Sequence, residues 1–538
     1  MLSGITLLLV MPLAALILPW LGVLAGDYTG LSALAQMWQT VLPSYMADTV
    51  LLCAMVAVIA GIMGTTSAVL VTLFDFRGRA LFEWALLLPL AMPAYVVAYA
   101  YTDFLQFSGG LQMWLRSTFA LQGSVLPNVR SLGGAALIFS FCLSPYVYLL
   151  VRTALSERAG HLMEAARLLG APLRERVIRV ALPLARPAIA AGVALVLMET
   201  LADFGVVSYF GVQTLSAGIF KAWLSMDNRT LAAQLATGLL VIVAILLKIE
   251  QNAQASIRFA SNKGARFAAG QAPAIRLRGA RAHTAQILCA LPVLLGFVMP
   301  VLLMLHSLGV QMQAQDVVIP WDAFAQWSAN SLRLATLTAA LAVGCGLVLT
   351  FLLRAHANPW FEAIVKLASL GYAIPGTVIV VGLLLPLGWL QSTCPELRGG
   401  YWLTATSAGL IWAYLVRFNA VTVQTLQSGY SRIPKSLDES ALMLGAGKFD
   451  LMRSVHAPLL KRSVLTAALL VFVDVMKELP ATLVLRPFNS DTLAVVTYQL
   501  ARDERLGEAS LPALALVLVG LIPVILLSRS LSQHRRGL

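Results

Sequence analysis

Four carboxylates interrupt otherwise apolar stretches at matching places: Glu199 with Asp203, and Asp474 with Glu478. The members of each pair stand four residues apart, one turn of a helix, so they share a face. An ionised side chain at the centre of a spanning helix costs roughly 2.5–3.5 kcal/mol on insertion scales, so it usually has a task. Oxygen-rich surroundings suit a hard cation. The alternative task is structural: an acid near a helix end, or one paired with Lys477, Arg417 or Arg333. Both readings stay open on the residues alone.

Other reactive constellations are missing. A phosphate-cradling loop needs G-x-x-x-x-G-K-[ST]. The nearest string, LGAGKFD at 444–450, lacks the first Gly at the right spacing, and Phe449 follows the Lys. The six histidines show no H-E-x-x-H, and His456 reads as solvated or structural. Cys53, Cys142, Cys289, Cys345 and Cys394 have no zinc or redox spacing and read as small buried hydrophobes. No catalytic residue, no fixed metal site and no cofactor bound by this chain is expected.

The elements that carry these residues follow from composition. Of 538 residues, 59% are hydrophobic and 12% charged, against about a quarter charged in an average globular chain. Helices facing lipid need no polar side, so the chain belongs in a bilayer. Its net charge of +13 forms no basic stripe with interleaved aromatics, which argues against nucleic acid. A spanning helix needs roughly 20 apolar residues, and twelve candidates fit. Six lie near 3–25, 50–74, 82–102, 133–156, 187–211 and 231–249; six more lie near 285–309, 330–354, 362–388, 401–427, 464–486 and 510–528. The first lacks a positive n-region and is read as a retained helix rather than a signal peptide. Pro93, Pro145, Pro375 and Gly376 fall within spans and mark kinks or close packing. The expected fold class is an all-α polytopic membrane protein.

Lys and Arg gather on one side of these spans: Arg77 and Arg79, a group from Arg158 to Arg186, the segment Lys248 to Arg281, a group from Arg432 to Arg462, and Arg529 to Arg536. The opposite loops 26–48 and 310–329 have none. The positive-inside bias therefore puts both termini in the cytoplasm. The expected organisation is a first half over 1–255, a polar basic linker over 256–284, and a second half over 285–538.

The halves repeat one another. EAARLLGAPLRERVIRVALP at 164–183 matches ESALMLGAGKFDLMRSVHAP at 439–458. Glu164, Gly170, Ala171 and Pro183 recur 275 residues later as Glu439, Gly445, Ala446 and Pro458, and the four carboxylates keep the same offset. PLAMPAYVV at 89–97 echoes GYAIPGTVI at 371–379. Six helices per half make the repeat parallel, with its axis along the membrane normal. Both long copies fall between the fourth and fifth helix, in loops 157–186 and 429–463. Each reads as a short helix, a tight Gly turn and a second amphipathic stretch, a stiff knob on the cytoplasmic face. A carboxylate near the start of such a helix is favoured by the dipole.

The pattern E-x-A-x-x-x-G-A, with Pro thirteen residues after the Gly, resembles the EAA loop of binding-protein-dependent ABC importer permeases. The resemblance implies a type I importer fold and a coupling helix that enters a cleft on a separate ATPase. It gives that role to Glu164, Ala166, Gly170 and Ala171, and to Glu439, Ala441, Gly445 and Ala446. Ser440 stands where the first copy has Ala165. GVQTLSAGIFKAW at 211–223, KELPATLVLRPFNSDTLAV at 477–495 and LARDERLGEASLPALALVLVG at 500–520 are similar to fused, two-half permeases of iron(III) importers. Fused thiamine permeases share the layout but look less alike there. The fifth helix of each half lines the path in that family, so the resemblance implies that Glu199, Asp203, Asp474 and Glu478 face it. It further implies ATP use by partner ABC ATPase subunits, two copies, a soluble substrate-binding protein, and the bacterial inner membrane. A twelve-span secondary transporter fits the span count equally well but needs no docking loop.

Overall fold

The computed structural model describes residues 2–24, 29–264, 275–313, 320–355, 359–368, 370–393, 396, 403–447 and 450–536. The chain is an all-α polytopic membrane protein. Among the described residues, eight helices are long and apolar enough to cross a membrane: Leu42–Leu73, Leu132–Ser156, Leu173–Ala202, Arg229–Gln254, Ala280–Gln313, Trp321–Ala355, Gly376–Thr393 and Leu506–Leu526. A ninth is counted if Arg79–Ala91 and Ala94–Phe119, bent by 89°, form one broken span.

The other expected spans are helices of a different character. The first divides into Leu2–Ala15 and Leu18–Leu24, with Pro12 and Pro19 close to the break. The tenth is Ser407–Tyr430, which carries Arg417, Asn419, Gln424 and Gln427. The eleventh is Ala457–Lys477, with Lys461, Arg462, Asp474 and Lys477. Both are long enough for the bilayer but more polar than the rest.

Proline sets the breaks. A tight turn at Leu88–Ala91 is followed by Pro93, whose carbonyl accepts from Val96 and Val97 to start the next helix. Leu370–Ala373 and Pro375 repeat this, with Val378 and Ile379 as donors. The fixed φ of proline suits a helix start and forbids continuation from the turn before it. The N-caps repeat as well: Ser131 accepts from the Gly134 amide, and Thr406 from that of Ala408.

Contacts divide the chain into two compact units, each drawing on both halves of the sequence. One comprises Met1–Met37, Gly218–Leu239 and Pro320–Val496; the other comprises Trp38–Ala217, Leu240–Ile319 and Thr497–Leu538. In the second, Leu42–Leu73 packs on Leu132–Leu168 and Leu182–Ala202 around Val56, Ala60, Val147 and Ala191, all fully buried. Gly64 makes this possible: a Cβ there would stand 2.6 Å from that of Val147 and 2.7 Å from the Ser144 carbonyl. In the first, Trp321–Ala355, Ser407–Tyr430 and Ala457–Lys477 pack together around Leu349, Leu426 and Val471. Val50, Leu51, Val58 and Ile62 are more than half exposed on one helix, as a lipid-facing surface allows.

Candidate functional site

The two loops singled out by the repeat form knobs with matching turns, but only the second has the expected short helix; Glu164 lies in the last turns of a long helix rather than near the start of a short one. Helix Leu132–Leu168 runs 37 residues, well beyond the roughly 20 that cross a bilayer. It ends at Gly170, where φ is +82°. The Ala171 amide donates to the Ala166 carbonyl and the Gly170 amide to that of Arg167. This is a Schellman closure, which needs a left-handed residue at the position Gly fills. In the second copy helix Lys435–Met443 ends at Gly445 with φ +84°, and the Ala446 amide donates to Ala441. Ala166, Ala171, Ala441 and Ala446 are thus the small residues on which each turn closes. Past each turn the chain makes a π-helical turn, Arg176–Ala181 and Leu451–His456, again 275 residues apart. Lys448 and Phe449 lie outside the described residues.

Each knob presents bare apolar surface at its tip. Leu168 and Leu169 are 85% and 88% exposed, and Met443 and Leu444 are 90% and 89% exposed. Glu164 and Glu439 are also exposed, one to two turns back along each helix. Both knobs thus leave two adjacent large apolar side chains open at matched positions.

The second knob has a polar brace. Arg354 Nε meets Asp438 Oδ2 at 2.5 Å and its Nη2 donates to Asp438 Oδ1 at 3.1 Å. The same guanidinium donates to the carbonyls of Tyr430, Ile433 and Pro434. His456, 1% exposed, places Nε2 2.9 Å from Asp438 Oδ1 and Nδ1 3.4 Å from the Tyr430 hydroxyl. Partial burial would raise the Asp438 carboxyl, but the hydrogen bonds and charges of Arg354 and His456 outweigh it and hold it below the usual range. His456 is therefore a buried brace. Nothing in the sequence pattern tied Arg354 to a partner 84 residues away. The exposed pairs had a signal: two large apolar residues before the Gly in both copies.

The carboxylates at the span ends are placed as follows. Glu199 is half-buried in the last turns of Leu182–Ala202. Asp203 ends that helix, and its Oδ1 accepts from the Val206 amide at 2.8 Å, starting helix Gly205–Phe210. Asp474 is half-buried near the end of Ala457–Lys477. Glu478 is buried and accepts from the amides of Ala481 and Thr482, the Thr482 hydroxyl, and Arg417 Nη1 at 2.9 Å. Those four bonds fill the roughly four acceptor sites of a carboxylate. Glu199 and Asp203 fall in one compact unit, Asp474 and Glu478 in the other. Among the described residues no group of three or more His, Cys, Asp or Glu is placed to hold a metal ion.

Comparison with known proteins places this arrangement. Residues 60–249 and 284–537 each match the family described as binding-protein-dependent transport system inner membrane component. The chain is similar to an Fe(3+)-transport system permease protein of Haemophilus influenzae, 26% identical over 532 residues and covering 98% of both chains. It is 25% identical over 517 residues to a probable ABC transporter permease protein of Sinorhizobium fredii, covering 91% of this chain and 87% of the relative. A sulfate transport system permease protein of Escherichia coli matches over 209 residues at 29% identity, 38% of this chain and 70% of the relative. With two matches that together take in most of its length, the chain belongs to the family of binding-protein-dependent transport system inner membrane components.

Proposed function

We propose that this chain is the permease of an ATP-driven importer of ferric iron, both halves of the gate in one polypeptide. The observation that carries the reading is the pair of knobs, with Leu168–Leu169 and Met443–Leu444 bare beside Glu164 and Glu439. Two equal knobs call for two equal sockets, so two ATPase subunits dock on one chain. Ala166, Gly170, Ala171, Ala441, Gly445 and Ala446 close the turn that follows each tip. ATP is bound and hydrolysed on those partners, and this chain contributes no nucleotide site. Both termini lie in the cytoplasm with the knobs. A soluble binding protein delivers substrate to the other face, and the halves 1–255 and 285–538, joined by the linker 256–284, alternate between outward- and inward-open states.

Iron is favoured over other cargo because the Fe(3+)-transport permease matches over 98% of this chain and the sulfate permease over 38%. Glu199, Asp203, Asp474 and Glu478 stay on the proposed path, with Glu478 as a brace because its oxygens are already occupied. The test is reconstitution with the cognate ATPase and binding protein in vesicles. ATP-dependent uptake of ferric iron, lost when the ATPase is omitted, is expected. Uptake that persists without the ATPase would contradict the importer reading, and ATP-driven uptake of sulfate or thiamine instead of iron would contradict the cargo.

A further inference from the structure

One group of oxygen-bearing side chains stands apart from the knobs. Helix Ala94–Leu105, launched by Pro93, carries Tyr95 and Tyr99 one turn apart, and their rings meet at 5.7 Å between centroids. Tyr209, on helix Gly205–Phe210, stands edge-on to Tyr99 at 4.6 Å. Tyr498 packs against the same helix start: its ring centroid lies 6.1 Å from that of Phe204, the residue that follows Asp203. All belong to one compact unit.

The hydroxyls are not equivalent. Tyr209 accepts from Arg130 Nη2 at 3.2 Å, and Arg130 also reaches Glu504 at 3.4 Å. Tyr498 shares a 2.9 Å hydrogen bond with Ser208. Tyr99 is only 4% exposed, and its hydroxyl has no hydrogen-bond partner among the described residues. A buried phenol left unpaired costs about 1–3 kcal/mol, so such a group calls for an explanation.

We propose that Tyr99, with Tyr498 and Asp203, forms a transient binding site for a hard trivalent cation on its way through the membrane; this rests on the ferric-iron reading above. Phenol and carboxylate oxygens are the hard donors such an ion prefers. A phenol is neutral with an ordinary pKa near about 10, so two of the three donors carry no charge in the empty site, and the insertion cost is lower than that of a ring of carboxylates. On binding, the cation replaces the hydroxyl proton of Tyr99; an O–metal bond forms, the O–H bond breaks, and the proton passes to water. No electron moves. The repeat does not reproduce this set. By the offsets of the repeat, Val381 stands where Tyr99 would, Val484 where Tyr209 would, and Glu478 in place of Asp203 is sealed by Arg417. One chain therefore holds one such site.

The full chain in lipid nanodiscs, titrated with ferric nitrilotriacetate, is expected to develop the visible tyrosinate-to-iron charge-transfer absorption. Tyr99→Phe, which removes one oxygen and leaves the ring packing, abolishes it and weakens iron binding by at least roughly 10-fold, since loss of even an outer-shell partner of a metal ligand costs that much. Tyr498→Phe weakens both signals less, because that hydroxyl already has a partner. ATP-driven iron uptake falls with Tyr99→Phe while the ATPase still co-purifies, which shows that the fold is kept. Wild-type iron uptake that Tyr99→Phe leaves unchanged, or a wild-type chain that carries iron and shows no such absorption, overturns the site but leaves the importer reading standing. A wild-type chain that transports another solute and no iron overturns both.

Discussion

The two knobs reach the same outer form from different foundations. In the first, helix Leu132–Leu168 continues unbroken from the span into the knob. Its inner side is apolar: Leu155 and Met163 are buried, and Ala181 is fully buried beyond the turn. In the second, Pro434 separates Ser407–Tyr430 from the knob helix Lys435–Met443, since the residue before a proline avoids helical geometry. The positions of Leu155, Met163 and Ala181 are taken there by Tyr430, Asp438 and His456, which Arg354 ties together. A continuous helix needs no brace, whereas a detached helix must be held. What both share is the left-handed Gly, the π-helical turn and the exposed apolar pair. The shared features are the ones a partner would feel, and the differing ones only position them.

The largest expected effect comes from attacking what is shared. Leu168→Glu with Leu169→Glu, or Met443→Glu with Leu444→Glu, should abolish ATPase co-purification and transport while leaving membrane levels intact. If either pair is dispensable, the equivalence of the knobs fails. Next comes a test of what differs. Asp438→Ala strips the charged partner from a mostly buried guanidinium and leaves it only the carbonyls of Tyr430, Ile433 and Pro434; breaking such a pair costs about 3 kcal/mol. It should loosen the second knob alone, seen as new tryptic cleavage near Arg432 and Lys435, with the first knob unchanged. Met163→Ala, by contrast, removes an apolar contact of about 2 kcal/mol and should act on the first knob only.

Smaller effects follow at the turns. Gly170→Ala and Gly445→Ala should each cost about 1 kcal/mol, because a left-handed conformation penalises a Cβ. A Cβ at either position meets nothing within 4 Å, so the cost is conformational and should be equal in the two knobs. The smallest effect concerns pH. A carboxyl held low contributes stability that is present above the ordinary carboxylate pKa and is lost as pH falls through the lowered value. A spin label at position 440 should therefore report an ordered second knob from neutral pH down past about 3.9, the ordinary Asp value. Release at higher pH would show that Asp438 is not the brace.

Much of this was legible in the residues. Gly170 and Gly445 announced the turns, because few residues other than Gly tolerate their φ. The long apolar runs announced the greater part of Leu42–Leu73 and Ala280–Gln313, as 50–74 and 285–309, and missed the start of the one and both ends of the other. Other features were hidden for physical reasons. Periodicity does not show that a run such as 3–25 or 82–102 is broken or bent by 89° until proline geometry is built in three dimensions. The grouping of Met1–Met37 with Pro320–Val496 rests on contacts between distant segments, such as Trp412 Nε1 to the Leu8 carbonyl. Arg354 and Asp438, or Tyr99 and Tyr498, meet only once the helices are packed. The acids at 199, 203, 474 and 478 stood out by cost, yet the caps made by Asp203 and Glu478 depend on helix breaks that the sequence read as continuous spans.

Single cysteines at positions 169 and 444, in a chain whose five native cysteines have been replaced, allow the most direct test of the two knobs. A membrane-impermeant maleimide applied to each face, with and without the ATPase subunits, reads out both side and contact. Labelling of both positions only from the cytoplasmic face, blocked to the same extent when the ATPase is bound, is the predicted result. Labelling from the outer face, or labelling that bound ATPase leaves unprotected at either position, would contradict the account.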